Sequence, residues 1–198
     1  MTEILLIRHS LTQGNLEGRY LGCRTDEPLS KEGIALLKKH SYPLADRVYA
    51  SPLKRCIETA QLIFSIPKEQ MVLVPALREC DFGDFENKNY QELDGNPEYQ
   101  AWIDSGGTLP FPHGEAMEQF QKRCQEGFAR IVKEITDSAD KESLQRVALV
   151  VHGGTIMAIM ERYGSPKQSY FDYQVKNGCG YLLTPVEGTE LWNYQCLQ

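Results

Sequence analysis

The segment Arg146–Val151 constrains the fold of this 198-residue chain more than any other, because its last five residues are all apolar. A strand that is apolar at every position must be covered on both faces, as the central strands of parallel sheets are. Parallel strands also need long crossover connections, which are usually helices. The segment therefore predicts a layered α/β fold with this strand at its centre.

Strand-like and helix-like stretches alternate along the rest of the chain. We predict strands at residues 3–8, 46–50, 71–74, 146–151, 180–183 and 190–196, with the last two forming a hairpin. Helices are predicted at residues 30–40, 51–64, 98–104, 115–137 and 153–163. The alternation indicates an α/β fold, a three-layer α/β/α sandwich with a mostly parallel central sheet.

Local signals support three of these helices. Ser30 is predicted to be an N-cap, and Ser51 is predicted to be another, with Pro52 at the first helical position. The apolar positions of the helix at 115–137 step by three or four, as one buried face requires, and they are Met117, Phe120, Cys124, Phe128, Ile131 and Ile135.

Residues 80–113 interrupt the pattern with Gly, Asn, Pro and aromatic residues. We interpret them as an excursion from a single domain that spans residues 1–198, a length typical of one domain. Most of its aromatic side chains are expected to pack the excursion onto the core, with a substrate-contacting lid as the alternative. They are Tyr90, Tyr99, Trp102 and Phe111.

Charge and cysteine usage exclude several classes of function. The net charge of −6 argues against binding to nucleic acid or to anionic lipid. The apolar runs are too short to span a membrane, and the N-terminus does not resemble a secretory signal. No cysteines are spaced as a CxxC pair, so we expect reduced thiols, no metal site and a cytoplasmic protein.

Candidate catalytic residues follow three of the predicted strands, where open α/β sheets bind their ligands. Arg8 and His9 end the first strand, Arg55 lies just beyond the second, and His152 ends the central strand before two glycines. Each residue taken alone is more often structural than functional. The joint order of Arg-His, Ser-Pro-x-x-Arg and His-Gly-Gly is the stronger signal.

This joint pattern resembles the histidine phosphatase superfamily, also called the phosphoglycerate mutase-like family. Six ordered blocks carry the resemblance, and they span nearly the whole chain: residues 6–15 (LIRHSLTQGN), 26–33 (DEPLSKEG), 51–60 (SPLKRCIETA), 77–86 (LRECDFGDFE), 114–115 (GE) and 150–155 (VVHGGT). One block is an easy chance match, but six in order are not. The resemblance implies a phosphoglycerate mutase-like fold.

The resemblance also implies a role for each site residue. His9 would be the nucleophile that becomes a phosphohistidine, and Glu79 would be the proton donor, with His152 as a further catalytic residue. The phosphoryl group would be bound by Arg8, Thr12, Asn15, Arg55 and Gly153. Two residues depart from the family pattern. Ser10 replaces a usual Gly and could alter how closely the loop approaches phosphate, and Ala116 replaces a common Ser, with an expected effect on local capping or substrate contact.

Elementary chemistry agrees with these implied roles. Phosphoryl transfer requires compensation of charge on three oxygens, which two guanidiniums and an imidazole supply without a metal or cofactor. The positive charges should keep His9 neutral, and a backbone carbonyl could fix its tautomer. Glu79 has competitors as the acid, namely Asp81, Asp84 and Glu86, which we expect to lie in a solvated loop.

Three functions remain open at this point. The favoured one is a metal-independent phosphomonoesterase acting on small phosphate esters, and short bacterial members of the family include α-ribazole phosphatases and broad-specificity phosphatases. The alternatives are a phosphoglycerate mutase and a non-catalytic module that binds phosphorylated ligands. Residues 78–114 hold few basic side chains, which favours water over a second phosphate as acceptor. The sequence leaves open whether the chain is a monomer or a homodimer.

Overall fold

A seven-stranded sheet forms the centre of the computed structural model, which describes residues 2–138 and 144–197. Within these residues the strands lie in the order β3-β2-β4-β1-β6-β7-β5. Their bounds are Glu3–Arg8 (β1), Arg47–Ala50 (β2), Val72–Leu73 (β3), Arg146–Val151 (β4), Gly164–Ser165 (β5), Gly180–Pro185 (β6) and Trp192–Leu197 (β7).

The strands β3, β2, β4 and β1 run parallel, and β4 lies between β2 and β1. The strands β6 and β7 form an antiparallel hairpin that joins the sheet along β1, while β5 pairs in parallel with β7 at the edge. The predictions of a central strand at 146–151, of a mostly parallel sheet and of a final hairpin are confirmed.

Helices cover both faces of the sheet. One face packs against α5 and α6, and the other packs against α3, on which α2 lies. Alternate residues of β1 and β4 enter the two separate apolar cores, which confirms the predicted three-layer α/β/α sandwich. The helices are Gln13–Leu16 (α1), Lys31–Leu37 (α2), Lys54–Phe64 (α3), Pro97–Asp104 (α4), Met117–Asp137 (α5) and Gly153–Tyr163 (α6).

The helix ends test the predicted caps. Ser30 caps α2, since the backbone N–H of Gly33 donates to its hydroxyl at 3.0 Å, as predicted. Ala116 occupies the N-cap of α5 without a side-chain hydrogen bond, which is the expected effect of a residue with no hydroxyl. The predicted apolar face of α5 is also confirmed, because all its members are buried except Met117, which is half-buried.

The prediction of Ser51 as an N-cap is wrong. The helix α3 begins at Lys54, and Leu53 holds its N-cap position without a side-chain hydrogen bond. The physical reason is that Ser51 still belongs to the sheet ladder, where its N–H donates to the carbonyl of Val150 at 3.0 Å. The short elements α1 and β5 were not predicted either, because they are below the length that periodicity detects.

The excursion at 80–113 contains the predicted helix α4 and a 3₁₀ turn at Gly83–Phe85. Its aromatic residues pack around the fully buried ring of Phe85, which lies 5.4 to 6.2 Å from the rings of Tyr99, Trp102 and Phe111. The prediction that most of these aromatic side chains pack the excursion onto the core is thus confirmed by these three rings, while Tyr90 is 64% exposed. Among residues 2–138 and 144–197, no helix is long and apolar enough to cross a membrane.

Candidate active site

The register of the sheet brings the two predicted histidines together. Arg8 pairs with Val151 at the carboxyl ends of β1 and β4, and the N–H of His9 donates to the carbonyl of Val151 at 2.9 Å. The rings of His9 and His152 follow directly, with centroids 5.2 Å apart and both side chains buried. Parallel pairing of two strands that end at the same edge therefore builds the centre of the site.

The ring of His9 has a defined tautomer. Its Nδ1 lies 2.7 Å from the carbonyl oxygen of Ser10, which only accepts hydrogen bonds, so Nδ1 carries the proton. The Nε2 atom keeps its lone pair. Burial, followed by the charges of Arg55 and Arg8, holds the pKa of His9 well below its usual range, so the ring is neutral.

The loop after His9 is fixed by hydrogen bonds on several sides. The hydroxyl of Ser10 donates to the carbonyl of Gly33 at 2.8 Å, and its N–H donates to the hydroxyl of Thr59 at 3.0 Å. The side-chain amide of Asn177 donates to the carbonyl of His9 at 3.0 Å. Ser10 is therefore accommodated here with its hydroxyl satisfied, although the family usually has Gly at this position.

Arg55 is completely buried at the first turns of α3. Its guanidinium donates to the carbonyls of Thr25, Leu21 and Gly22 at 2.6, 3.3 and 3.0 Å, and its Nε donates to Nδ1 of His152 at 3.3 Å. These four contacts use four of the five N–H donors of the side chain. The fifth, on Nη1, is left for a ligand.

Arg8 retains an unused donor beside the histidines. Its Nη1 donates to the carbonyl of Val175 at 2.7 Å, but its buried Nε has no hydrogen-bond partner among the residues that the structure describes. A Cβ at Gly153 would lie 3.3 Å from Cζ and Nε of Arg8, so the glycine keeps this part of the guanidinium clear. A buried donor without a partner is costly, and an anion would satisfy it.

Glu79 is buried against the first turn of α6. Its carboxylate accepts from the N–H of Cys80 at 2.9 Å and from the N–H of Gly154 at 3.1 Å. Burial raises the pKa of Glu79 above its usual range, although these two hydrogen bonds and the charges of Arg55 and Arg8 lower it. A carboxyl group with a raised pKa, held against the helix that begins directly after His152, is suited to donate a proton.

The three competing acids are engaged elsewhere. Asp81 pairs with Arg24 at 2.8 Å, and Asp84 pairs with the exposed His113 at 2.9 Å. Glu86 accepts from the backbone N–H groups of residues 24 and 25 at 3.1 and 2.9 Å. They hold neighbouring loops together, which favours Glu79 as the acid of the site. The expectation of a solvated loop is met by the exposed Asp84, whereas Asp81 and Glu86 are half-buried because they bind residues 24 and 25.

Thr12 and Asn15 form the reciprocal cap of α1. The Thr12 hydroxyl donates to Oδ1 of Asn15 at 3.0 Å and accepts from the N–H of Asn15 at 3.2 Å. Asn177 also donates to Oδ1 of Asn15, at 3.3 Å. The oxygen of the Asn15 amide is therefore occupied, which leaves its NH₂ group as the end that can donate to an anion, whereas Thr12 contributes by orienting Asn15.

Two contributors to the site were not predicted from the sequence. Asn177 lies in the loop before β6, and its Asn-Gly pair predicts a turn but nothing about His9. The carbonyl of Val175, which orients Arg8, belongs to the backbone and leaves no sequence signal. Over the described residues, no cluster of three or more His, Cys, Asp or Glu is arranged to hold a metal ion.

Replacing Gly154 with alanine tests how Glu79 is held. The new Cβ would collide with Oε1 of Glu79 and lie 3.1 Å from the ring of Phe120, so the carboxylate has to move. We expect kcat for an alkyl phosphate to fall about 100-fold and kcat for an aryl phosphate to fall much less, because only the alkyl leaving group needs the acid. Equal losses on the two esters would show that Gly154 does not act through Glu79.

The pH dependence of activity follows from the two shifted groups. With the roles that the family resemblance implies, the reaction would need neutral His9, whose pKa is lowered, and protonated Glu79, whose pKa is raised. Activity on an alkyl phosphate should therefore survive into acid pH and decline as rising pH removes the proton of Glu79. Profiles of kcat/KM for the wild type and Glu79→Gln on the same ester check this, because ionisation of the substrate is common to both. A decline that persists unchanged in the variant would contradict it.

Fold and site together define a small α/β protein with a buried cationic site for an anion, built around two neutral imidazoles. A family model described as the histidine phosphatase superfamily (branch 1) matches residues 4–195. The chain therefore belongs to the histidine phosphatase superfamily, as the sequence motifs predicted.

Known relatives carry phosphatase and mutase names. The metal-independent phosphoserine phosphatase of Arabidopsis thaliana is 33% identical over 172 residues, which cover 82% of this chain and 68% of that protein. The α-ribazole phosphatase of Shigella flexneri has a solved structure that matches with a TM-score of 0.81 and 26% identity. The match covers 99% of this chain and 96% of that one. The solved structure of the phosphoglycerate mutase of Thermus thermophilus matches with a TM-score of 0.70 and 27% identity, over 100% of this chain and 99% of that one.

Proposed function

We propose that this chain is a metal-independent phosphomonoesterase that hydrolyses small phosphate esters through a phosphohistidine at His9. The observation that carries the proposal is the ring of His9. Its Nδ1–H is held by the carbonyl of Ser10, and its Nε2 lone pair is kept available by burial and by the charges of Arg8 and Arg55. A neutral imidazole of fixed tautomer beside two guanidiniums is suited to attack a phosphoryl group.

In the first step, Nε2 of His9 attacks phosphorus, and the bond from phosphorus to the ester oxygen breaks as the N–P bond forms. Glu79 gives its proton to the departing alkoxide. Negative charge on the phosphoryl oxygens is stabilised by the unused donors of Arg8 and Arg55, by the Asn15 amide and by the N–H of Gly153 at the start of α6.

In the second step, water hydrolyses the phosphohistidine. The Glu79 carboxylate takes a proton from the water as its oxygen attacks phosphorus, and the N–P bond breaks. Inorganic phosphate leaves, His9 is again neutral, and Glu79 is again protonated. The site therefore returns to its starting state without any further reactant.

Hydrolysis is favoured over mutase activity by the residues available near the site. A mutase must hold a second phosphate, yet Arg78 and Lys88, with His113, are the basic side chains of the stretch 78–114. Arg78 donates to the carbonyl of Pro75, and His113 is paired with Asp84. A test with 2- and 3-phosphoglycerate separates the two activities: interconversion faster than phosphate release would establish the mutase.

A panel of phosphate esters assayed in the presence of EDTA tests the proposal as a whole. It includes α-ribazole phosphate, phosphoserine, 3-phosphoglycerate and sugar phosphates, and phosphate release is measured. We expect turnover of at least one ester, unaffected by EDTA. Binding without turnover across the panel would favour a non-catalytic module instead, a function that the intact set of Arg8, His9, Arg55, Glu79 and His152 disfavours.

The proposal extends to the setting of the enzyme. We propose that residues 1–198 act as a single domain, in the cytoplasm, on a small phosphorylated substrate, with nucleic acid and membranes playing no part. Support comes from the net charge of −6 and from six cysteines that are all free thiols. Three of them, Cys56, Cys80 and Cys124, are buried as small apolar side chains.

A further inference from the structure

Ser51 contacts the second histidine of the site rather than the helix that follows it. Its hydroxyl oxygen lies 2.7 Å from Nε2 of His152, and both side chains are completely buried. Because α3 begins at Lys54, the hydroxyl is not used as a helix cap. The backbone of Ser51 is fixed by the ladder hydrogen bond to Val150, so its side chain is held in place beneath the imidazole.

The other nitrogen of the same ring faces Arg55. The Arg55 Nε lies 3.3 Å from Nδ1 of His152, and an arginine N–H only donates. Nδ1 is therefore the acceptor, and the single proton of the neutral ring lies on Nε2, from which it is donated to Ser51. The first and last residues of the Ser-Pro-Leu-Lys-Arg segment thus hold the two nitrogens of one imidazole.

We propose that Ser51 is a positioning residue that fixes His152 as the Nε2–H tautomer, and that His152 takes up one proton at Nδ1 when an anionic phosphoryl group enters the site. The second half of this proposal rests on the proposed function for the identity of the anion. The first half concerns the empty protein and stands on the two hydrogen bonds alone.

The surroundings of His152 explain why its Nδ1 carries no proton before the anion binds. Arg55 on α3, Arg8 at the end of β1, His9 directly after it and Arg123 on α5 act on its charge, and burial together with these groups holds the pKa of His152 well below its usual range. Glu79 accepts from the N–H of Gly154, two residues further along the chain, and burial raises the pKa of Glu79, which disfavours a negative charge on its carboxyl group.

A neighbouring thiol does not add a charge that would raise the pKa of His152. The sulfur of Cys56 lies 3.5 Å from Nε2 of His152, and burial raises the pKa of Cys56 to about 12, so it stays neutral. A phosphoryl dianion adds negative charge next to Arg8 and Arg55 and thereby favours a proton on His152. Since Ser51 already accepts from Nε2, the proton taken from solvent adds to Nδ1. The new Nδ1–H donates to the anion. Nε of Arg55 then loses its acceptor on the ring and is free to donate to the same anion.

Nitrogen NMR of protein labelled at histidine tests both halves, and the chain has only four histidines to assign. In the free protein we expect His152 to show a protonated Nε2 and an unprotonated Nδ1. Saturation with inorganic phosphate should protonate Nδ1 as well. A protonated Nδ1 in the free protein would overturn the tautomer, and phosphate binding that leaves Nδ1 unprotonated would overturn the proton uptake.

Variants test the role of the hydroxyl itself. Ser51→Ala should give a mixture of the two His152 tautomers, a kcat about 10- to 100-fold lower and a shifted pH profile, whereas Ser51→Thr keeps the hydroxyl and should restore the tautomer. Ser65→Ala, the same change at the other end of α3, serves as the matched control. An unchanged tautomer and pH profile in Ser51→Ala would contradict the proposal. If no ester is turned over, the proposed function fails, but the spectrum of the free protein still decides the role of Ser51.

Discussion

Replacement of His9 with alanine should lower phosphate release by about ten-thousand-fold or more, the scale seen when a covalent nucleophile is removed. The reason is that His152, the other histidine of the site, cannot take over the attack, because its Nε2 is engaged with Ser51 and its Nδ1 faces Arg55. The binding donors on Arg8 and Arg55 do not depend on His9, so binding of inorganic phosphate should remain.

The assay is release of p-nitrophenol from p-nitrophenyl phosphate in the presence of EDTA. A second readout is the phosphoenzyme, whose N–P bond should be lost in acid and absent from the variant. His113→Ala is the matched control, because the exposed imidazole of His113 pairs with Asp84 rather than with either central histidine. Activity of His9→Ala within tenfold of the wild type would refute the phosphohistidine.

Replacement of Glu79 with glutamine should separate two kinds of ester. We expect a loss of about a thousand-fold in kcat for alkyl phosphates and about tenfold for aryl phosphates, because a phenolate leaves without protonation. The smaller loss has a structural source. Both oxygens of Glu79 accept backbone N–H groups, so an amide places its NH₂ group against Cys80 or Gly154.

The measurement is the ratio of alkyl to aryl kcat in each protein. Glu79→Ala should give a ratio similar to that of Glu79→Gln. Because alanine has no amide, this agreement would show that the loss on alkyl esters comes from the missing proton and not from a misplaced amide. Asp84→Asn controls for loss of a carboxylate from the same loop, since Asp84 is exposed and contacts His113. Equal losses on both esters in Glu79→Gln would assign the proton to another acid.

Much of this site could be located from the sequence because strand ends are readable from local pattern. His9 and His152 follow apolar runs that alternate with helices, and parallel pairing of such runs places their ends at one edge. The neighbourhood of the two rings therefore follows from where β1 and β4 stop. The positions of Glu79 and Asn15 came from family motifs, since no local pattern ties either to the strand ends.

The remaining features depend on contacts between distant segments. Ser51 has the sequence signature of a helix cap, yet the hydrogen bond to Val150 keeps it in the sheet and leaves its hydroxyl to His152. Whether Ser51 caps the helix or stays in the sheet depends on its pairing with β4, a strand that is remote in sequence. The local periodicity of the sequence does not predict such pairing. Asn177 was missed for the same reason, because its partners His9 and Asn15 are equally remote along the chain.

The burial of β4 has a consequence for how the enzyme loses its activity on heating. Every residue from Val147 to Val151 is inaccessible, and the strand is paired on both sides. Amide hydrogens in such a strand exchange with solvent only when the whole domain opens. Because His9 and His152 lie at the ends of this strand and of its partner β1, we expect the arrangement of the two histidines to be lost only when the domain unfolds. Heat should therefore abolish phosphate release at the temperature at which β4 loses its protection from hydrogen exchange.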